Sequence, residues 1–552
     1  MNGQLSVVCG VLLGLGLPAC ASPEEHAMQA NAEVLPMLAD YEQAVLGDRE
    51  SRVLLPEPAA EEDAPAAPAG ADTPAPDAAP GAAPGAGPAG DPGAEPVEVR
   101  HVDMRSALAT AFESGREYLD RREGLYLAGL DLSLVRYRFG PVLDGTVAML
   151  WSDGEEQVAS TSLAAGVGMS RVLPTGGTFS VATGLGVTAF GDTPEAGEDD
   201  PLWDGNLGFG LSMPLLRGAG HAISHEALTQ AERDLVYAVR DFELFREDFS
   251  IDIADGFLDL VSRQQRLDNL RQNYEDARFD ANKAEALRLV DRNRDEDVFL
   301  ARRVLIDAES DLLQAQADYE VSVDSFKIRL GLPAEVAVEI GEERPVYRPL
   351  ALDADSAVTV AIANRLDLKT AAERVQDVDR SVDIARNGLL PDMNLDLGLD
   401  LGGDGGSPGD ALPDTWTATA GMALELPLDR QAERNAYRAS LISRDRARRD
   451  YELLLDNVDR DVRDQLRQLK RTEQQIELQR DQIEQERRAV AVTRIRYEAG
   501  DVDNRDLIDA RQSLVTAQNA LVDLLADHFV GRLRLMRNLG ILFIAPDGMW
   551  RE

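Results

Sequence analysis

The chain has 552 residues, with 56 Lys and Arg against 98 Asp and Glu, a formal net charge of −42. So acidic a balance excludes a nucleic-acid binder, which needs a basic face for phosphates, and suits a solvated surface or a cation-favouring lumen. Its two cysteines, Cys9 and Cys20, lie in the first twenty residues, so the body beyond them holds no disulfide, cysteine zinc site or thiol nucleophile.

From Leu5 to Ala19 the chain is apolar. That run suits a signal-peptide core and is short for a spanning helix. It ends Leu17-Pro18-Ala19-Cys20, which resembles a bacterial lipobox, so residues 1–20 are expected to be a signal peptide with lipidation at Cys20. Proline ahead of the small residue, and no Lys or Arg before the run, leave a second reading: an ordinary signal peptide with a chance cysteine. No other apolar run reaches membrane-spanning length, so any crossing falls to strands. Residues 21–97 read as an N-terminal segment and a tether. Pro56 to Pro96 is almost wholly Pro, Ala, Gly, Asp and Glu, has little to bury and is expected to be disordered.

The body is duplicated. Gly331 and Gly540 end two similar segments at an offset of 540 − 331 = 209. At that offset Asp297, Ala301, Arg302, Leu305 and Ala308 meet Asp506, Ala510, Arg511, Leu514 and Ala517. The register runs back without a gap to Asp241 and Asp450. A repeat free of insertions fits continuous helices packed side by side better than a loop-rich fold. The expected divisions are repeat one at 98–333, a connection at 334–355 and repeat two at 356–552.

Ser224–Leu289 and Ala432–Glu498 contain no proline, and apolar residues recur every three or four positions amid many charges. This predicts two helices, each on the order of 100 Å long at 1.5 Å per residue. Helices so long and polar need partners along their whole length. Each leads through a polar tip, 288–297 or 496–506, into a shorter returning helix, with Gly331 and Gly540 suited to left-handed caps.

Before each hairpin the period changes to two. Met393, Leu395, Leu397, Leu399 and Leu401 alternate with polar or small residues, and Trp416 to Leu426 does the same. One greasy face and one acidic or small face is the pattern of a transmembrane β-barrel; the alternative is a soluble amphipathic hairpin covering a core. In repeat one, Leu130/Leu132/Leu134 and Leu207/Phe209/Leu211/Met213 are expected to be the outer strands, with Leu163–Met169 and Phe179–Ala189 alternating between them. The preceding helices align at an offset of 250 and the following segments at 213, so repeat one carries 250 − 213 = 37 extra residues. An added hairpin accounts for them.

Over about residues 98–545 the chain resembles the TolC/OprM outer-membrane efflux family. The resemblance rests on Asn364-Arg365-Leu366-Asp367-Leu368, Gly388-Leu-Leu-Pro391, Leu426-Pro427-Leu428 and Arg496-Tyr497-Glu-Ala-Gly500. It rests also on Asp506-Leu-Ile-Asp509-Ala510, and in repeat one on Met213 to Gly220 and Arg329 to Pro333. Leu366 stands where the family has proline. The resemblance implies a mixed membrane protein, assembled as a homotrimer. Helical hairpins form a periplasmic α-barrel, and four strands per copy form a twelve-stranded transmembrane β-barrel. It implies a passive exit duct for a tripartite efflux pump or a type I secretion system. Its partners are then a periplasmic adaptor, an inner-membrane transporter and outer-membrane lipid, with no cofactor.

In the family, aspartate rings close the periplasmic tip, and the matching residues are Asp506 and Asp509. Their spacing of three places both on one helical face, and three copies give six carboxylates around the axis. Such rings bind cations. Acids in a first turn also complement the helix dipole, so gate and cap stay open together. Tyr497 matches a latch tyrosine, while the latch arginine falls on Val502, with Arg505 nearby. His221 and His225 could share a helix face but lack a third ligand in sequence, so no metal is expected. Gly218-Ala219-Gly220 reads as a strand-to-helix turn. The alternatives are a lipid-anchored periplasmic coiled-coil adaptor, a structural envelope protein, or an envelope enzyme, for which no catalytic pattern stands out.

Overall fold

The computed structural model describes residues 22–47, 100–154, 157–190, 201–289, 294–341, 345–499, 501–502 and 504–551. The signal segment, Cys20 and the Pro56–Pro96 tether lie outside them. Helix α1 (Pro23–Leu46) opens with a capping box, in which Ser22 and Glu25 exchange side-chain-to-backbone hydrogen bonds. After β1 (Arg100–Val102) come α2 (Met104–Ser114) and α3 (Arg116–Phe139). Four strands follow: β2 (Val142–Gly154), β3 (Gln157–Val172), β4 (Thr178–Phe190) and β5 (Leu202–Pro214). The turn α4 (His221–Ser224) leads into α5 (Glu226–Arg288), which is 63 residues long, and α6 (Asp295–Leu330) returns.

The same order then recurs. After β6 (Val338–Ile340) come α7 (Ala354–Asn364), α8 (Leu366–Asn387), β7 (Asp392–Gly405) and β8 (Thr415–Glu425). Helix α9 (Gln431–Ala499) has 69 residues, and α10 (Asn504–Asn538) returns before two short strands, β9 (Phe543–Ile544) and β10 (Trp550–Arg551). Gly331 and Gly540 end α6 and α10 at φ 78° and 67°, left-handed values that a side chain disfavours. Leu366 is the first residue of α8, the position where proline is tolerated, so leucine there keeps the helix start and buries its side chain.

Four helices lie side by side at every level. Near the sheet the packing order is α3, α5, α8, α9; farther away it is α6, α5, α10, α9. Between these levels β1 pairs in parallel with β6. There the aromatic rings of Phe112, Tyr118, Phe242 and Phe249 meet at centroid distances of 4.6–5.8 Å. No helix among the described residues is long and apolar enough to cross a membrane.

The strands form one antiparallel sheet in the order β2-β3-β4-β5-β7-β8. Two expectations are corrected here. Leu130, Leu132 and Leu134 belong to α3, not to a strand. Tyr118, Leu125, Gly129 and Leu132 fall on one helical face and are buried, and that packing overrides the local alternation. The first strand lies later, at Val142–Gly154. Each chain also brings six strands to the sheet, not four, because the extra residues of repeat one pair in full register with the rest.

Rows across the ladder have one character per face. The row Leu143, Met169, Val181, Phe209, Leu399 and Ala418 is apolar. The opposite face carries Asp144, Asp204, Asp396, Asp400 and Asp404 among Gly, Ser and Thr, with no Lys or Arg among its described ladder residues; Arg171, opposite Phe179, lies on the apolar face at the lower end of β3. A Cβ at Gly168, Gly186 or Gly208 would run into the carboxylates of Asp144, Asp204 or Asp400. The glycines therefore let the acids lie flat along the wall.

Candidate functional site: the tip of the helical hairpins

At the far end from the sheet, the two hairpins meet along α5 and α10, which run antiparallel. Their seam is a ladder of polar pairs: Arg537 with Asp248 at 2.7 Å, Arg534 with Asp255 at 2.9 Å, and Arg266 with Asp523 at 2.9 Å. Asn269 donates to Asn519 a step farther on. The last rung is Arg511, whose Nη1 lies 3.0 Å from Asp280 and 3.9 Å from Asp276. Within the first hairpin the α5/α6 seam is different in kind: Ala281, Ala284, Val298 and Ala301 form a small apolar core. Val530 and Leu533 of α10 still share the main apolar core with α5, but toward the tip the two hairpins are joined mostly by exposed ion pairs, each worth about 0–1 kcal/mol. A joint of that kind can open without unfolding either half.

Asp280 departs from this rule. Its side chain is 8% exposed. Burial raises its carboxyl above the usual range, while Arg511 and Lys283 pull the other way. One turn on, Lys283 sits over the ring of Tyr497, 4.7 Å from its centroid. Burial also raises the Tyr497 phenol, with Asp280 and Asp297 adding to the effect. Tyr497 from the second hairpin therefore rests among Asp280, Lys283 and Asp297 of the first.

Asp506 and Asp509 lie in the opening turns of α10, both exposed in the single chain. Arg505 stands 3.9 Å from Asp509, with both side chains about 70% exposed. Arg505 thus pairs locally, and the arginine that bridges the hairpins nearest the tip is Arg511. Sequence reasoning missed that role, although Arg511 is the duplicate of Arg302, which pairs with Glu285 inside its own hairpin at 2.9 Å. Gly500 lies outside the described residues.

His221 and His225 stack at 4.4 Å between ring centroids, and Phe139 covers His225 at 4.9 Å. Among the described residues no group of three His, Cys, Asp or Glu is placed to hold a metal. Gly218 and Gly220, at φ 82° and 95°, make the turn from β5 into α4.

Residues 357–540 match the family model described as outer membrane efflux protein. No curated protein matches the sequence. Solved structures with the same fold include the VceC outer membrane protein of Vibrio cholerae, at 16% identity and TM-score 0.60, covering 79% of this chain and 96% of that one. The CmeC outer membrane channel of Campylobacter jejuni matches at 16% identity and TM-score 0.60, covering 79% and 85%. The MtrE outer membrane channel of Neisseria gonorrhoeae, in its open state, matches at 13% identity and TM-score 0.58, covering 79% and 89%. The resemblance to TolC/OprM-like proteins thus holds by family model in the second half and by fold across most of the chain.

Proposed function

We propose, from a chain that shares its fold and part of its family model with outer-membrane efflux proteins, that it is one subunit of a trimeric outer-membrane channel. Its repeats, 98–333 and 356–552, supply a periplasmic helical tunnel and a share of a membrane barrel. The channel is a passive exit duct and not an enzyme. It serves a tripartite efflux pump or a type I secretion system, with a periplasmic adaptor and an inner-membrane transporter as partners.

One observation carries this reading. Both layers of the chain end in open edges, and the helical edge bears an apolar stripe. Phe299, Ile306, Leu313, Val321 and Ile328 on the outer side of α6 are 60–70% exposed at spacings of seven or eight residues. A heptad stripe along a helix is the seam of a coiled-coil contact, and in a closed ring it meets the α9 edge of a neighbouring copy. At the mouth, Asp506 and Asp509 ring the axis, and Tyr497 with Arg511 holds the tips together. Cys20 is the proposed lipid anchor.

The test is extraction and reconstitution. Protein taken from outer membranes in detergent should have the mass of three chains and form pores in planar bilayers. A monodisperse monomer, soluble without detergent after removal of residues 1–97, sinks this reading and favours the adaptor.

A further inference from the structure

The six-stranded sheet has two open edges, β2 and β8, and every residue of β8 is exposed. In hydrocarbon such an edge leaves backbone groups unpaired at several kcal/mol each. We propose that β8 of one copy pairs with β2 of the next, so that each copy gives all six strands to one barrel wall. In the trimer proposed above, on which the count rests, the barrel then has eighteen strands instead of twelve.

Strand direction permits this closure. All five pairings in the sheet are antiparallel, so β2 and β8 run in opposite senses and their contact continues the same pattern. An odd number of strands would have forced a parallel seam.

Stagger supports it quantitatively. The row through Val142, the first residue of β2, passes Ser170, Ser180, Gly210 and Gly398 and ends at Thr419 on β8. Strand β8 continues to Glu425, so its lower end lies 425 − 419 = 6 residues beyond that row. Six residues at about 3.4 Å rise ~20 Å, against ~24 Å for five strand spacings, an inclination of about 40°. Membrane barrel strands tilt by roughly 35–45°. The stagger is therefore that of a barrel whose lower rim is level, and β2 and β3 take part in it.

The tryptophans mark a second level. Trp151 is nine residues above the lower end of β2 (151 − 142), Trp416 nine above that of β8 (425 − 416), and Trp203 eleven above that of β5 (214 − 203). All three stand on the apolar face. Aromatic rings at one height on the lipid face form an interfacial girdle. A β2–β3 hairpin standing apart from the wall would have no reason to carry Trp151 at that height, or Leu143, Val147 and Met149 beneath it.

The consequence is a wide exit. At a strand spacing of about 4.8 Å and a tilt of about 40°, twelve strands enclose a backbone diameter of ~24 Å and eighteen ~36 Å, roughly twice the cross-section. The acids lie flat on glycines and leave that width open. Selection by size then falls to the helical tips.

Electron cryo-microscopy of the full-length protein in lipid nanodiscs counts strands, while native mass counts subunits. Six strands per subunit in one wall is the expected result. Four per subunit, with β2–β3 outside the wall, overturns the proposal and leaves the channel reading intact; a soluble monomer overturns the channel reading itself. Cross-linking gives an independent answer in a Cys20→Ser background. Thr417→Cys, eight residues above the lower end of β8, paired with Ala148→Cys, Leu150→Cys or Ser152→Cys, six to ten above that of β2, should give covalent oligomers that survive denaturation. If Thr417→Cys couples instead to Ala182→Cys or Thr188→Cys on β4, the edge pairing is wrong.

Discussion

Arg511 reaches out of the second hairpin and donates to the buried carboxylate of Asp280 in the first, 231 residues away, at 3.0 Å. It is the most deeply set rung of an otherwise exposed ladder. Removing the guanidinium leaves an unpaired charge in a site that already disfavours it, a cost of about 1–3 kcal/mol local to the tip. We expect Arg511→Ala to raise single-channel conductance several-fold, with Tyr497→Phe giving a smaller increase. Unchanged conductance in Arg511→Ala places the closing contact elsewhere.

The same pair should respond to acid. Burial raises the Asp280 carboxyl above its usual value, so it takes up a proton at a higher pH in the folded protein than in the unfolded chain. Protonation therefore does not cost this group folding stability; it removes the charge that Arg511 binds. Conductance should rise as pH falls from neutral through that raised value, with no loss of melting temperature traceable to Asp280. Asp280→Asn should be open already and show a flat pH profile. A wild-type profile identical to that of Asp280→Asn refutes the assignment.

Asp506 and Asp509 give a sharper test of the mouth. If six of these carboxylates ring a narrow opening, the pore is cation-selective and is blocked by divalent or trivalent cations added from the periplasmic side. Changing both to Asn should relieve the block strongly, while trimer stability falls by no more than about 1 kcal/mol. An unaltered block leaves the two aspartates as first-turn acids that serve the helix dipole alone.

The helical hairpins were legible because nothing local opposes them: their long helices lack proline and keep a 3.6-residue period, and their returning helices stop at Gly331 and Gly540. The strands of repeat two were legible for the same reason in period two. Repeat one was harder. Leu130, Leu132 and Leu134 alternate like a strand, yet Tyr118, Leu125 and Leu132 share a helical face that buries against the rest. The strand that replaces them carries its signal in Leu143, Val147, Met149 and Trp151, broken by Asp144 and Gly145. The Arg511–Asp280 rung had no local sign at all, since a contact over 231 residues depends on how two hairpins register.

His528 offers a stability test away from the tip. It is 1% exposed, lies 3.4 Å from Glu473 and packs against the tilted ring of Tyr347 at 5.0 Å. Burial holds its imidazole below the usual value, against the pull of Glu473. The unfolded chain thus binds the proton more readily, and stability is lost as pH falls through the unfolded value of about 6.5 toward the lower folded one. Between about pH 7 and pH 5 the wild-type melting temperature should drop more than that of His528→Gln. Parallel curves rule this histidine out as a contributor.

The N-terminal helix sets a condition on the proposed anchor. Helix α1 runs parallel to α3: Asn31 accepts from Tyr126 at 2.6 Å, Glu33 from Ser133 at 2.9 Å, and Tyr41 from Arg136 at 3.0 Å. Gly129 lets Val34 and Leu38 close on α3, where a Cβ would sit 2.7 Å from Val34. Since α3 climbs toward the sheet, α1 points its start away from it. Ser22 lies nine residues below Asn31 and Tyr126 thirteen below Phe139, which puts Ser22 roughly 30 Å from the base of the sheet at 1.5 Å per residue. Two residues reach at most about 7 Å, so an acyl chain on Cys20 cannot enter the membrane while α1 stays docked. Acylation and docking should therefore compete. A disulfide between Val34→Cys and Gly129→Cys, where the two backbones approach most closely, should form readily when Cys20 is changed to Ser and poorly in acylated protein. Full cross-linking in fully acylated, membrane-embedded protein would show that the two coexist.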